Sequence, residues 1–349
     1  MRLLMLGTGR MAINHAKAFQ AIDGVEMVGS VDTIAENLNS FGDTFGIANR
    51  FASLDDALAW GDFDAVDNIT PDSIHHPTTL KVIAAGKNVF CEKPLAPSYG
   101  LAMEMVEAAE QAGLINMVNL TYRNVAELHK ARELVASGVI GTVKHIEGSY
   151  LQGWVAARDW SDPSIEGPWL WRLSKGHGSN GTLGDIGIHI LDFTTFAAGT
   201  DIASMNCRLQ VFHKVDGDKM GEYVLDANDS FIISAEFDNG AIGTIHSSRW
   251  ASGHNNDQRL RLYGEKGGLE LSHGHWGSLL RICVGKDVPE NKWQEVKADP
   301  VQTNYQRFAE AVRTGVQTEP SFRHAAKLQQ VLDLALVADG DRKEHKVTA

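Results

Sequence analysis

The first 120 residues alternate short apolar runs with segments of helical periodicity, and this alternation restricts the chain more than any other feature. LLMLG (3–7), VEMVGSVD (25–32), AVDNIT (65–70), NVFCEKP (88–94) and INMVNL (115–120) each read as a short strand. Between them, Pro77–Gly86 has a proline at a helix start and a glycine at its stop, and Ser98–Gly113 opens on a serine N-cap. Strands separated by helices lie parallel, joined by crossovers, so the expected fold class is α/β, beginning with a dinucleotide-binding type of sheet.

After Tyr122 the pattern changes. A helix over NVAELHKARELVASG, capped by Asn124, leads into TVKHIEGSYLQG, and a further helical run extends from about Asp185 to Gly199. From about Ser204 to Ser272 the reading is mostly strand, with two-residue alternation on either side of an Asp238-Asn239-Gly240 turn. This is expected to form a large open, mainly antiparallel sheet. Helices return from about residue 301, and the last nine residues read as a polar tail. The expected division is therefore 1–120 for the dinucleotide domain and 121–349 for a second α/β domain.

At 349 residues and 43% hydrophobic, the chain can bury two cores. A formal charge of −12 without a basic block argues against nucleic acid or anionic membranes as partners. No apolar run reaches the ~18 residues of a membrane span. Cys91, Cys207 and Cys283 are odd in number and widely spaced, which fits a reducing, cytoplasmic compartment better than a disulfide framework. Sequons at Asn68, Asn119 and Asn228 are read as chance, two of them falling in apolar strands.

Gly7-x-Gly9-x-x-Ala12 stands between the first strand and a helix, the context in which such a pattern binds a pyrophosphate. Gly7 permits the turn, Gly9 leaves room for the phosphates, and Thr8, Arg10 and Met11 complete the loop. Asp32, at the end of the second strand, is placed to accept the ribose hydroxyls, and with Thr33 and Ile34 following instead of arginine, NAD is favoured over NADP. Lys93 lies where ligands bind in open α/β sheets, beyond a strand's carboxyl end, and Pro94 restricts its backbone. Asp185 and His189, four apart, share a helix face, so a carboxylate can fix the tautomer of an imidazole suited to accept a proton. No further ligand with matching spacing accompanies them, so no metal is expected.

In this order, Gly7-x-Gly9-x-x-Ala12, TPDSIH (70–75), Glu92-Lys93-Pro94 and Asp185-x-Gly187-x-His189 resemble the Gfo/Idh/MocA family of oxidoreductases over nearly the whole chain. The resemblance implies a Rossmann domain joined to an α/β domain whose open sheet serves oligomerisation, as a homodimer or homotetramer. It implies that Lys93, Asp185 and His189 meet at the nicotinamide, and that Thr70, Pro71, His75 and Glu92 line the cofactor. Asp72 departs from the family's usual asparagine, and GSNG (178–181) from a more glycine-rich run.

Four of the eight tryptophans lie between Trp154 and Trp171, interspersed with Arg158, Arg172, Lys175 and His177, while Asp159, Asp162 and Glu166 nearly balance the charge. Indole faces stack on sugar C–H faces and the polar groups donate to hydroxyls. The expected substrate is therefore a sugar or cyclic polyol, with Tyr122 and Arg123 as further contacts. The expected reaction is NAD-dependent oxidation of a secondary hydroxyl. A redox-neutral NAD enzyme acting on glycosides and a dinucleotide-binding sugar sensor are the alternatives.

Overall fold

The structure, a computed structural model, describes residues 1–158, 160 and 169–347; Asp159, Asp162 and Glu166 lie outside them. The chain opens β1 (Arg2–Leu6), α1 (Arg10–Gln20), β2 (Glu26–Val31), α2 (Ala35–Phe45), β3 (Asn49–Phe51), α3 (Leu54–Trp60), β4 (Ala65–Asn68), α4 (His75–Ala84), β5 (Asn88–Cys91), α5 (Tyr99–Gln111) and β6 (Asn116–Val118). Helix α1 buries Ala12, His15, Ala16 and Phe19, a stripe at i, i+3, i+4 and i+7. The Ser98 hydroxyl caps α5 by accepting from the Leu101 N–H. The six strands pair in parallel in the order β3-β2-β1-β4-β5-β6. The order reverses beside β1, and the carboxyl ends of β1 and β4 flank that switch point, where open α/β sheets bind ligands.

The chain continues as α6 (Ala126–Ala136), β7 (Val143–Leu151), α7 (Ile188–Ala198), β8 (Ile202–Gln210), β9 (Lys219–Met220), β10 (Tyr223–Val224), β11 (Ser230–Phe237), β12 (Ile242–Ser248), β13 (Asp257–Gly264), β14 (Gly267–Gly274), β15 (Gly277–Val284), β16 (Gln294–Val296), α8 (Asn304–Thr314), α9 (Phe322–Asp341) and β17 (His345–Lys346). Nine strands form one open sheet, β16-β15-β14-β13-β7-β12-β11-β8-β17, antiparallel except where β7 meets β12. Along β11 burial alternates strictly, Phe231, Ile233, Ala235 and Phe237 inward, as a sheet covered on one face requires; α7 packs on β7, β12 and β13, and α6 on β14 and β15.

Three expectations change. The chain divides into Met1–Asn124 with Gln302–Gln330, and Val125–Val301 with Val331–Ala349. Residues 302–330, assigned from sequence to the second domain, thus belong to the first: Phe308 and Ala311 of α8 pack into the cluster of Phe19, Phe90 and Met117, and burying one such phenylalanine contributes roughly 1.5–3 kcal/mol. The tail is not wholly free, because His345 and Lys346 pair with Met205 and Ser204 at the edge of β8. Asn124 does not cap α6, whose N-cap is Val125; its side-chain oxygen accepts the Asn304 N–H at 2.7 Å, the first of α8. Asn68, Asn119 and Asn228 are all buried, as chance sequons would be.

Candidate active site

In the first unit the site is built on strand ends. Gly7 has φ +91°, and a Cβ there would stand 2.8 Å from the Ile69 carbonyl oxygen, so this turn admits only glycine. At Gly9 a Cβ would meet nothing within 4 Å, and the first turn of α1 carries no acidic residue. That open space before a helix N-terminus fits a pyrophosphate. Asp32 Oδ2 accepts from the Thr8 N–H at 2.9 Å and the Thr8 hydroxyl at 2.7 Å, and Oδ1 from the Ile34 N–H at 2.8 Å. A carboxylate has about four acceptor sites, so Asp32 both anchors the glycine turn and keeps capacity for a ribose hydroxyl. Arg10 and Met11 are exposed beside it.

Thr70 donates its hydroxyl to Asn68 Oδ1 at 2.7 Å, and Pro71 is exposed. His75 is buried, contrary to a role as a direct lining group. Its Nε2 and Nδ1 lie 2.7 Å from the carbonyl oxygens of Thr70 and Pro94, tying together the loops that follow β4 and β5. Glu92, at the end of β5, accepts at Oε1 from His15 Nε2 (2.8 Å) and the Asn119 amide (2.6 Å), and at Oε2 from the Lys93 N–H (3.2 Å). Burial would raise the Glu92 carboxyl, but the His15 bond and charge and the Lys93 charge bring it down to about 2. Lys93 precedes a cis proline. Tyr122 is half-buried. Arg123 is only 3% exposed, with Nη2 2.9 Å from His324 Nε2, so it serves the first unit's interior rather than an open sugar site.

In the second unit Asp185 does not begin an ordinary helix. Leu183–Gly187 form a π-helical turn leading into α7, a geometry frequent at functional sites. Asn228 holds the entrance, its Oδ1 accepting the Leu183 N–H at 2.9 Å and its carbonyl the Thr182 N–H at 2.8 Å. Asp185 Oδ2 accepts from Arg249 Nη2 at 2.7 Å and lies 3.5 Å from Arg172 Nε. Arg249 is fully buried and also donates to the Arg172 carbonyl at 3.0 Å. His189 is buried on α7, with the Tyr150 ring 6.5 Å away.

The tryptophans divide. Trp154, Trp160 and Trp169 pack against Val155, Leu170, Leu173 and Leu225, with the Arg158 guanidinium 2.9 Å from the Trp169 ring centroid and 5.7 Å from that of Trp154. Trp171 is 39% exposed, with Arg172 4.6 Å from its ring. His177 Nδ1 lies 3.0 Å from the Ser174 hydroxyl, and its ring is tilted against that of Tyr223 with the centroids 4.4 Å apart. Among the described residues no group of three His, Cys, Asp or Glu is placed to hold a metal, and no helix is long and apolar enough to cross a membrane.

Sequence reasoning missed His15, Asp67 and Arg249. The signals for the first two were present: a histidine on the apolar stripe of α1 and an aspartate in the middle of the apolar run AVDN. Arg249 gave none, because only the fold brings the end of β12 to the turn at Asp185.

A parallel sheet with a glycine turn at its switch point is the architecture of a dinucleotide-binding unit, and the second unit presents an aspartate-histidine turn beside a large open sheet. The chain belongs to the GFO/IDH/MocA oxidoreductases: residues 1–120 match the oxidoreductase family with an NAD-binding Rossmann fold, and residues 128–270 the GFO/IDH/MocA C-terminal domain. It is 27% identical to a levoglucosan dehydrogenase of Pseudarthrobacter phenanthrenivorans over 71% of this chain and 65% of that one, slightly under two thirds of its length. It is 30% identical to a 1,5-anhydro-D-fructose reductase of Ensifer adhaerens over 77% and 71%. An oxidoreductase domain protein from Kribbella flavida superposes with a TM-score of 0.86 at 29% identity, covering 99% of both chains.

Proposed function

We propose that the chain reversibly oxidises a secondary hydroxyl of a sugar, anhydrosugar or inositol-like polyol to a ketone, with NAD as the oxidant. What carries this reading is the pairing, in one chain, of a strand-end lysine whose backbone N–H is held by Glu92 with a buried histidine one turn after an Arg249-held aspartate. Bound NAD supplies the hydride acceptor. His189 removes the hydroxyl proton, Asp185 aligns His189 from the preceding turn, and Lys93 stabilises the developing alkoxide by charge and hydrogen bonding. Asp32, as an anion, disfavours the 2′-phosphate of NADP.

The similarity to proteins named for levoglucosan and 1,5-anhydro-D-fructose supports an anhydrosugar or a closely related ring. Exposed Trp171, with Arg172 and His177, offers one apolar face and polar donors for it. Trp154 and Arg158 contribute through the aromatic cluster on which that segment rests. Ile232 and Ile242, 55% and 60% exposed on neighbouring strands, favour assembly as a homo-oligomer through the open sheet. The three buried thiols are consistent with the cytoplasm.

Replacing Lys93 by Met, or His189 by Ala, tests the catalytic roles. Each is expected to lower turnover by roughly 10²–10⁴, the usual scale of acid-base catalysis, with the NAD dissociation constant within about threefold of native by calorimetry. A loss of only a few-fold would overturn the assignment.

A further inference from the structure

Behind the strand ends lies an array of charges that the reaction as described does not use. His15, on the inner stripe of α1, is fully buried. From β4 it faces Asp67, whose two carboxylate oxygens stand 3.1 and 3.0 Å from Nδ1. From the end of β5 it faces Glu92 Oε1 at 2.8 Å from Nε2, with Lys93 next in the chain. From the end of β6 the Asn119 amide lies 3.2 Å from Nε2 and also reaches the Tyr305 hydroxyl, at 3.1 Å. Tyr305, from α8, sets its ring edge-on at 5.2 Å, and Phe90 does so at 5.9 Å.

The chemistry of these partners dictates the state of the ring. Ionised carboxylates only accept hydrogen bonds, and a neutral imidazole donates from one nitrogen alone. With an ionised carboxylate on each nitrogen, the ring satisfies both bonds only as an imidazolium; a protonated Asp67 would instead donate to Nδ1 and leave the ring neutral. With both carboxylates ionised, a neutral ring would leave a nitrogen lone pair facing one of them, at the cost of an unmade charge-assisted bond.

We propose that His15 is a charged clamp at neutral pH, an imidazolium held between Asp67 and Glu92 that keeps the Glu92 carboxylate ionised and aimed at the Lys93 N–H, and so positions Lys93. The catalytic part of this inference rests on the reading of Lys93 given above. Burial alone would drive the His15 imidazolium down, yet the two carboxylates lift it to about 10. His15 and Asp67 are thus positioning residues, acting on the reaction only through Glu92.

The test needs no substrate. In native protein, ¹⁵N spectra of the histidine rings at pH 8, with His15 assigned by its absence from His15→Gln, are expected to show both His15 nitrogens protonated. In His15→Gln, the Glu92 carboxyl followed by ¹³C is expected to titrate at least about two pH units higher than in native protein, as loss of a neighbouring cation from a buried site requires. The Lys93 amide proton should move with it. A His15 ring with one bare nitrogen at pH 8, or a Lys93 amide shift that ignores the Glu92 titration, would overturn the clamp. Should His15→Gln not fold, Lys93 and His15 can be assigned by triple resonance in native protein; a doubly protonated ring with a Lys93 amide shift that stays constant from about pH 8 down to 4 is then expected, and a Lys93 shift with a midpoint inside that window would overturn the clamp. Lys93→Met that kept full turnover would remove the catalytic role of Lys93 while leaving the His15 ring state as measured, so the two failures are distinct.

Discussion

At the scale of single residues, the charges set against His15 make stability depend on pH in a definite sense. Glu92, brought down to about 2, contributes stability above the ordinary glutamate range, and that contribution is lost as pH falls through about 4.5 towards 2. His15, lifted to about 10, contributes fully below about 6.5 and loses its contribution as pH rises towards 10. Asp67 is pushed up by burial against the pull of His15, so it too favours the acid side of its own titration. The melting temperature of the native protein should therefore exceed that of His15→Gln by most between about pH 5 and 6.5, with the gap closing towards pH 10. A gap that is constant across this range in parallel calorimetric scans would contradict the assigned charges. Arg249 is the comparable case in the second unit. Replacing this fully buried guanidinium by Met removes one of two cations at Asp185, which is 29% exposed and keeps Arg172 at 3.5 Å, so the expected loss, read from urea unfolding, is about 1–3 kcal/mol, the scale of a lost hydrogen bond to a charged group.

At the scale of elements, the two glycines of the first turn separate folding from binding. Gly7→Ala puts a Cβ 2.8 Å from the Ile69 oxygen in a left-handed conformation. It should destabilise the chain by roughly 1–3 kcal/mol. Gly9→Val projects into open space, so its melting temperature should stay near native while NAD affinity by calorimetry falls by about 100-fold, the bulk occupying the phosphates' place. Equal effects of the two variants on stability would contradict this account of the turn. The turn, four of the five strands after it and Asp32 were legible in the sequence because each rests on local chemistry, glycine where φ is positive or an apolar run ending in an acid; β3, three residues at the sheet edge, was not. The π-turn at Asp185 and the short strand at His345 and Lys346 were not. The first depends on Asn228, far along the chain, and the second on an open edge of β8 that supplies the pairing. The tryptophan segment was legible only in part, since stacking on a sugar and stacking on a core demand the same residues.

At the scale of the whole molecule, the chain returns to its first unit after building its second, and no change of composition marks that return. Its sign is the apolar face of α8, whose partners, Phe19 and Phe90, lie more than two hundred residues earlier. The open sheet carries the oligomer proposal: sedimentation of native protein should give a dimer or tetramer, and Ile232→Arg with Ile242→Arg should shift it to monomer. A native monomer at tens of micromolar, the range in which proteins with stable interfaces stay assembled, would remove that proposal. The measurement that bears most directly on the central claim is NADH absorbance from purified protein with NAD. The panel would hold levoglucosan, 1,5-anhydro sugars, myo-inositol, free pyranoses and sugar acids, with NADP in parallel. NADH formation is expected with at least one ring bearing a secondary hydroxyl, faster with NAD than with NADP, and at least about 100-fold slower in Lys93→Met. No NADH from any of them, in protein shown by calorimetry to bind NAD, would contradict that claim.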